Sequence, residues 1–126
     1  MSGKPMIMVV DDDRAFLQEM AELLTKADYQ VRLFSDGEQA TKALKRVKPK
    51  VILLDLKLGG KSGFQIANEI KEITAKRKIA VIAMTGFYTN QEYKMMMALC
   101  GIRECMIKPI FPLDAISRIE AALVKN

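Results

Sequence analysis

The chain contains no histidine and no tryptophan. Without an imidazole there is no histidine metal ligand and no His-assisted nucleophile. Nor can a phosphohistidine form within the chain, so any such donor belongs to another protein. Cysteine is almost as scarce. Cys100 and Cys105 match neither a CxxC redox motif nor a zinc pair, and read as reduced, partly buried thiols. No apolar run approaches the roughly 20 residues that a membrane-spanning helix requires. The one apolar start, 6–10, is too short for a secretory signal and acid follows it at once. These absences predict a cytoplasmic protein that does not contact a membrane. Linkers rich in Pro, Gly or Ser are also missing, so 126 residues read as one domain, 1–126.

Charge of one sign is not scarce: 20 basic residues stand against 15 acidic ones, a formal net charge of +5. Much of the excess lies between 42 and 50 and between 71 and 78, late in predicted helices or just after them, where cations complement the helix dipole. Neither stretch carries the interleaved aromatic residues that nucleic-acid recognition favours. They read as solvated surface with no direct nucleic-acid binding, and an acidic protein partner is left open.

The chain alternates an apolar run with a helical pattern, five times. Strands are predicted over about 6–10, 30–34, 51–54, 79–84 and 104–107, and helices over about 14–27, 37–46, 63–73, 90–99 and 112–124. The first strand does not alternate polar and apolar residues, as expected when both faces are covered. Gln30-Val31-Arg32-Leu33 does alternate and suggests a sheet edge. Ser35 with Glu38, and Thr89 with Glu92, have capping-box spacing. Buried stripes are expected at Leu17, Met20, Leu24 and Ala27, at Phe64, Ile66, Ala67 and Ile70, and at Leu113, Ile116, Ile119, Ala122 and Leu123. Strict alternation with right-handed crossovers makes a parallel sheet covered on both faces.

Polar groups gather where these strands end. The first delivers Asp11, Asp12 and Asp13, the third Asp55, the fourth Thr85, and the fifth Lys108-Pro109. In open parallel sheets ligands bind beyond the carboxyl ends of strands. Clustered carboxylates repel one another unless a cation sits among them, and Mg2+ suits one or two carboxylates plus phosphate. Asp11 and Asp12 therefore read as metal holders and Asp13 as the cap of the first helix. A carboxylate such as Asp55 is a competent nucleophile toward phosphorus. Thr85 offers a hydroxyl to a phosphoryl oxygen. Lys108, on a strand expected at or next to the centre of the sheet, offers a cation that pairs with Asp55 at rest.

With these residues in place the chain resembles the receiver domains of two-component response regulators. The likeness rests on Val10-Asp11-Asp12-Asp13, Leu54-Asp55, Met84-Thr85-Gly86, Lys108-Pro109 and the five strand–helix units, and spans essentially the whole chain. It implies a flavodoxin-like, doubly wound five-stranded sheet in the order 2-1-3-4-5 with five helices. Asp55 would be the phosphoacceptor, served by a sensor histidine kinase, a phosphotransfer protein or a small phosphodonor. Mg2+ would be held by Asp12 and Asp55, by Asp11 through water, and by the backbone carbonyl of Lys57. Thr85 and Lys108 would contact the phosphoryl group and carry a switch to the last two helices and the strand between them. A downstream effector protein or output domain would read that switch. Catalysis would be limited to the chain's own phosphorylation and dephosphorylation.

Three positions depart from the family's pattern. Gly59 stands where Pro is usual, which predicts a looser loop. Cys105 replaces an aromatic residue, so the customary ring rotation has no counterpart. Lys57 puts a cation at the rim. It also occupies the place of the second acid that a phosphatase of the haloacid dehalogenase type needs. The alternative to a switch is a constitutive interaction module built on a degenerate site.

Overall fold

The computed structural model describes residues 3–86 and 90–125. Five parallel strands, β1 (Met6–Val10), β2 (Gln30–Phe34), β3 (Val51–Asp55), β4 (Ala80–Thr85) and β5 (Glu104–Ile107), form one sheet in the order β2-β1-β3-β4-β5. Helices α1 (Arg14–Lys26), α2 (Gly37–Ala43), α3 (Gly63–Glu69), α4 (Lys71–Arg77), α5 (Gln91–Leu99) and α6 (Pro112–Lys125) connect and cover it. This is the doubly wound, flavodoxin-like order expected from the resemblance.

Strand geometry explains why the central runs are apolar throughout. Successive side chains point to opposite faces, so Ile7, Val9, Val51 and Leu53 pack with α1 and α6, whereas Met8, Val10, Ile52 and Leu54 pack with α2 and α3. Every residue of β3 and β4 is buried. Each large aliphatic side chain so buried contributes roughly 1.5–3 kcal/mol. A polar residue anywhere along these strands would face a hydrophobic layer, and polar chemistry is displaced to the strand ends.

The structure corrects the sequence reading at several points. There are six helices among the described residues, not five: at Ile70 the backbone departs to φ −99°, ψ 6°, dividing the expected 63–73 segment and extending it to Arg77. Periodicity cannot register that break, because Ile70 stays buried. The cap of α2 is Asp36, whose side chain accepts from the Gln39 N–H, not Ser35. The cap of α5 is Asn90, accepting from the Tyr93 N–H; the predicted cap Thr89 lies outside the described residues. Leu113 is 85% exposed, with Ala115 taking its inward place. Phe64 is only partly buried and stacks on Tyr93, ring centroids 5.8 Å apart. The strand carrying Lys108 is an edge strand, not a central one.

Gly63 opens α3 directly beneath the third strand end. A Cβ there would land on the Asp55 carbonyl oxygen and within 2.6 Å of Leu56 Cα. Both obstacles are backbone and cannot swing aside. Gly63→Ala is expected to destabilise the fold by roughly 1–3 kcal/mol, read as a lowered urea midpoint with an unchanged slope. A midpoint equal to that of the unaltered chain would mean that the 56–63 loop relaxes freely.

Candidate functional site

The carboxyl ends of β1 and β3 are adjacent, with Val10 paired to Leu54, and the two residues that follow them are acids. Asp11 is fully buried and Asp55 is 5% exposed, whereas Asp12 is exposed. One carboxylate oxygen from each of Asp11, Asp12 and Asp55 lies within 4.8 Å of the others. An all-oxygen cluster of this kind suits a hard divalent cation that keeps part of its water shell. Of the four proposed ligands, the structure brings the three aspartates together. Lys57 stands two residues beyond Asp55, and its N–H donates to Asp55 Oδ1 at 3.0 Å.

The buried carboxylates are not left without a cation. Lys108 Nζ reaches Asp11 Oδ2 at 2.8 Å and Asp55 Oδ2 at 3.5 Å. Its principal partner is thus Asp11, where the sequence reading paired it with Asp55. Lys108 does this from the sheet edge: its backbone N–H donates to the Thr85 carbonyl at 2.7 Å, and the flexible four-carbon stem spans the end of β4. The Lys108–Pro109 peptide bond is cis. The methylene stem and ammonium also lie over Phe16, Nζ 5.0 Å from the ring centroid. Sequence reasoning did not single out Phe16, and its one signal is its place immediately after the acid run.

Asp13 does cap α1, its side chain accepting from the Phe16 N–H at 3.2 Å. Its own N–H donates to Asp11 Oδ1 at 2.9 Å, so the cap also fixes the buried acid. Gly59 has an unexpected part. Its N–H donates to Asp12 Oδ2 at 3.2 Å, a bond that proline lacks the hydrogen to make. The departure from Pro therefore ties this loop to the acid cluster, where a looser loop was expected. Thr85 is buried at the end of β4, in register with Ile107.

Burial raises the Asp55 pKa above its usual value. The Lys57 N–H opposes this, the Asp11 and Asp12 charges reinforce it, and Lys108 again opposes it. For Lys108, burial disfavours the ammonium, but the hydrogen bond and charge of Asp11 together with Asp55 outweigh it, so its pKa rises. Burial likewise lifts the Cys105 thiol, against the nearby Arg118. Cys100 and Cys105 are both free and partly buried.

Fold and site together define a class: doubly wound α/β domains with an acidic crevice at the switch point of strand order, here between β1 and β3. The chain belongs to the response regulator receiver domain family, whose model matches residues 7–120. It is 28% identical over 125 residues to the regulatory protein VirG of Agrobacterium tumefaciens, covering 98% of this chain and 46% of VirG. It is 26% identical over 120 residues to the DNA-binding response regulator MtrA of Mycobacterium tuberculosis, covering 95% and 51%. The chain thus spans about half the length of these relatives. Among solved structures it is similar to a CheY-like receiver domain from Methanospirillum hungatei, with a TM-score of 0.90, 22% identity, and coverage of 98% and 96%. It is also similar to the BeF3-activated DrrB receiver domain, with a TM-score of 0.81, 28% identity, and coverage of 95% and 97%.

A carboxyl whose pKa is raised on folding stabilises the fold below its unfolded pKa, about 3.9 for Asp, and loses that contribution as pH rises through the folded value. Asp55→Asn, which keeps an acceptor for the Lys57 N–H, should therefore raise Tm at neutral pH by a few degrees, the shift that about 1 kcal/mol produces. The advantage should vanish in acid. Added Mg2+ should stabilise the unaltered chain and have much less effect on the variant. Thermal melts across pH and Mg2+ concentration check both, and a neutral-pH Tm below that of the unaltered chain would contradict the charge-crowding account.

Proposed function

We propose that this receiver domain is a phosphorylation-controlled switch with Asp55 as phosphoacceptor. The observation that carries this reading is the convergence of the Asp11, Asp12 and Asp55 carboxylates around an ammonium that bridges two of them. Asp12, Asp55 and the Lys57 carbonyl would hold Mg2+, with Asp11 acting through water. The ion would neutralise charge on the phosphoryl oxygens as they approach, which is most of what phosphoryl transfer asks of a protein.

An Asp55 oxygen attacks phosphorus and forms an acyl phosphate, while the bond to the donor breaks and the donor leaves with its electron pair. Having no histidine, the chain takes the group from a histidine kinase, a phosphotransfer protein or a small phosphodonor. Lys108 exchanges carboxylate for phosphoryl oxygen as its partner, a charge-assisted bond in either state, and the Thr85 hydroxyl donates to another oxygen. The chain turns over only its own phosphoryl group.

Movement of Thr85 or Lys108 would pass directly to β5 through the hydrogen bond between them. Beside β5 lies a set of exposed apolar residues: Met95 and Leu99 on α5, Ile107, Phe111, and Leu113 on α6. Such a patch is the mark of a partner surface, to be read by a downstream effector or an output domain in the cytoplasm. Cys105, partly buried on the same strand, favours the second reading, a constitutive module, because no aromatic ring is there to rotate.

Incubation with acetyl phosphate and Mg2+ is expected to add one phosphoryl group to the intact mass. Asp55→Asn or chelation of the metal should abolish the gain. Absence of any gain with acetyl phosphate or a phosphorylated kinase would overturn the reading. Phosphorylation that left effector affinity unchanged would support the constitutive module.

A further inference from the structure

The amino edge of the sheet, opposite Asp55, is the most strongly charged part of the molecule. The loops 44–50, 76–79 and 100–103 lead into β3, β4 and β5, and contain eight basic residues and no acidic one. Without those eight, twelve basic residues would face fifteen acidic ones, so this edge accounts for the whole net positive charge. Backbone bonds hold the three loops side by side. The Ala80 N–H donates to the Lys50 carbonyl at 3.0 Å, and the Arg103 N–H donates to the Val81 carbonyl at 2.8 Å. Arg77 Nη1 donates to the Leu44 carbonyl at 2.8 Å, joining the first loop to the second.

Neutralisation from within is slight. The acid before β2 on this edge, Asp28, is taken by Lys4 at 3.0 Å. Among the described residues, the lysines of 45–50 and of 76–78 enter no ion pair. A hollow of about 430 Å³ opens between α4 and the 100–103 turn. Lys71, Lys78 and Arg103 stand around it, and Ala75, Ile79 and Val81 supply apolar wall. Lys78 is presented by a left-handed turn, φ 57°, that closes α4.

We infer that this edge is a docking site for an acidic segment of a partner protein, with an apolar side chain of that segment seated in the hollow and its carboxylates on the surrounding cations. Charge complementarity commits the edge to an anion. Two features favour a peptide over nucleic acid or a lipid surface. No aromatic residue stands among these cations for bases to stack on. The cations also ring a small concavity with apolar walls, which fits side chains better than a phosphate backbone or a flat bilayer. The site lies across the sheet from Asp55 and does not depend on its phosphorylation.

Fluorescence anisotropy with a labelled peptide of repeating Asp-Glu-Leu tests this, alongside a random-sequence DNA duplex and phosphatidylglycerol vesicles. Saturable peptide binding is expected that weakens as salt shortens the Debye length below about 10 Å. The double variant Lys78→Glu/Arg103→Glu should weaken it about tenfold or more, as should Lys45→Glu/Lys48→Glu, whose side chains are exposed and outside any packed contact. Lys61→Glu, on the opposite edge, and Asp55→Asn should leave it within about twofold. Tighter binding of the duplex or the vesicles, no saturable peptide binding, or indifference to both double variants would each overturn the inference.

Discussion

The structure turns on one electrostatic problem: three carboxylates held within 4.8 Å of one another, two of them buried. Mutual repulsion and desolvation both oppose this arrangement, and only a cation makes it tolerable. Lys108 supplies one, and can do so because its stem reaches in from an edge strand across the end of β4. The same demand fixes surrounding details. The Asp13 N–H is committed to Asp11, the Lys57 N–H to Asp55 and the Gly59 N–H to Asp12. Each acid of the cluster thus has a backbone donor, and the site is organised before any ligand arrives.

A cation that sits between two carboxylates with unequal distances is poised, not locked. Lys108 lies 0.7 Å closer to Asp11 than to Asp55, which leaves an oxygen of Asp55 less engaged than its buried neighbour. In a proposed phosphoacceptor that asymmetry is useful, since the nucleophile must be the acid least tied down. The Phe16 ring beside the ammonium helps keep it available, because a cation over an aromatic face does not need a third carboxylate.

Much of this was legible in the sequence, and the parts that were not have physical reasons. Apolar runs ending in acid reveal strand ends directly, so Asp11, Asp12, Asp55, Thr85 and Lys108 were all located before any coordinate. Edge position was legible for β2, whose pattern alternates, and not for β5, whose four residues are too few to show a period. The break at Ile70 is a backbone event that leaves the buried stripe unbroken, so periodicity runs through it. Asp36 and Asn90 took the caps because the helices begin one residue later than the nearest hydroxyl, an offset that spacing rules do not resolve. Leu113 fits the apolar stripe of α6 but falls in its first turn, beyond the last layer of the sheet.

The Gly59 bond shows why a departure from a family's usual residue must be weighed by what it adds as well as by what it removes. Proline would have stiffened the loop by fixing φ. Glycine gives up that rigidity and supplies an N–H, which finds the one acid of the cluster that is exposed. Cys105 is the converse case. A thiol in place of a ring removes a moving part, yet the backbone link from Thr85 to Lys108 remains, 2.7 Å long and independent of any side chain at 105. If phosphorylation pulls on Lys108 and Thr85 together, that link displaces β5 as a unit. Output through a shift of the edge strand needs no aromatic relay, and an edge strand, paired on one side only, is the element of the sheet freest to make it.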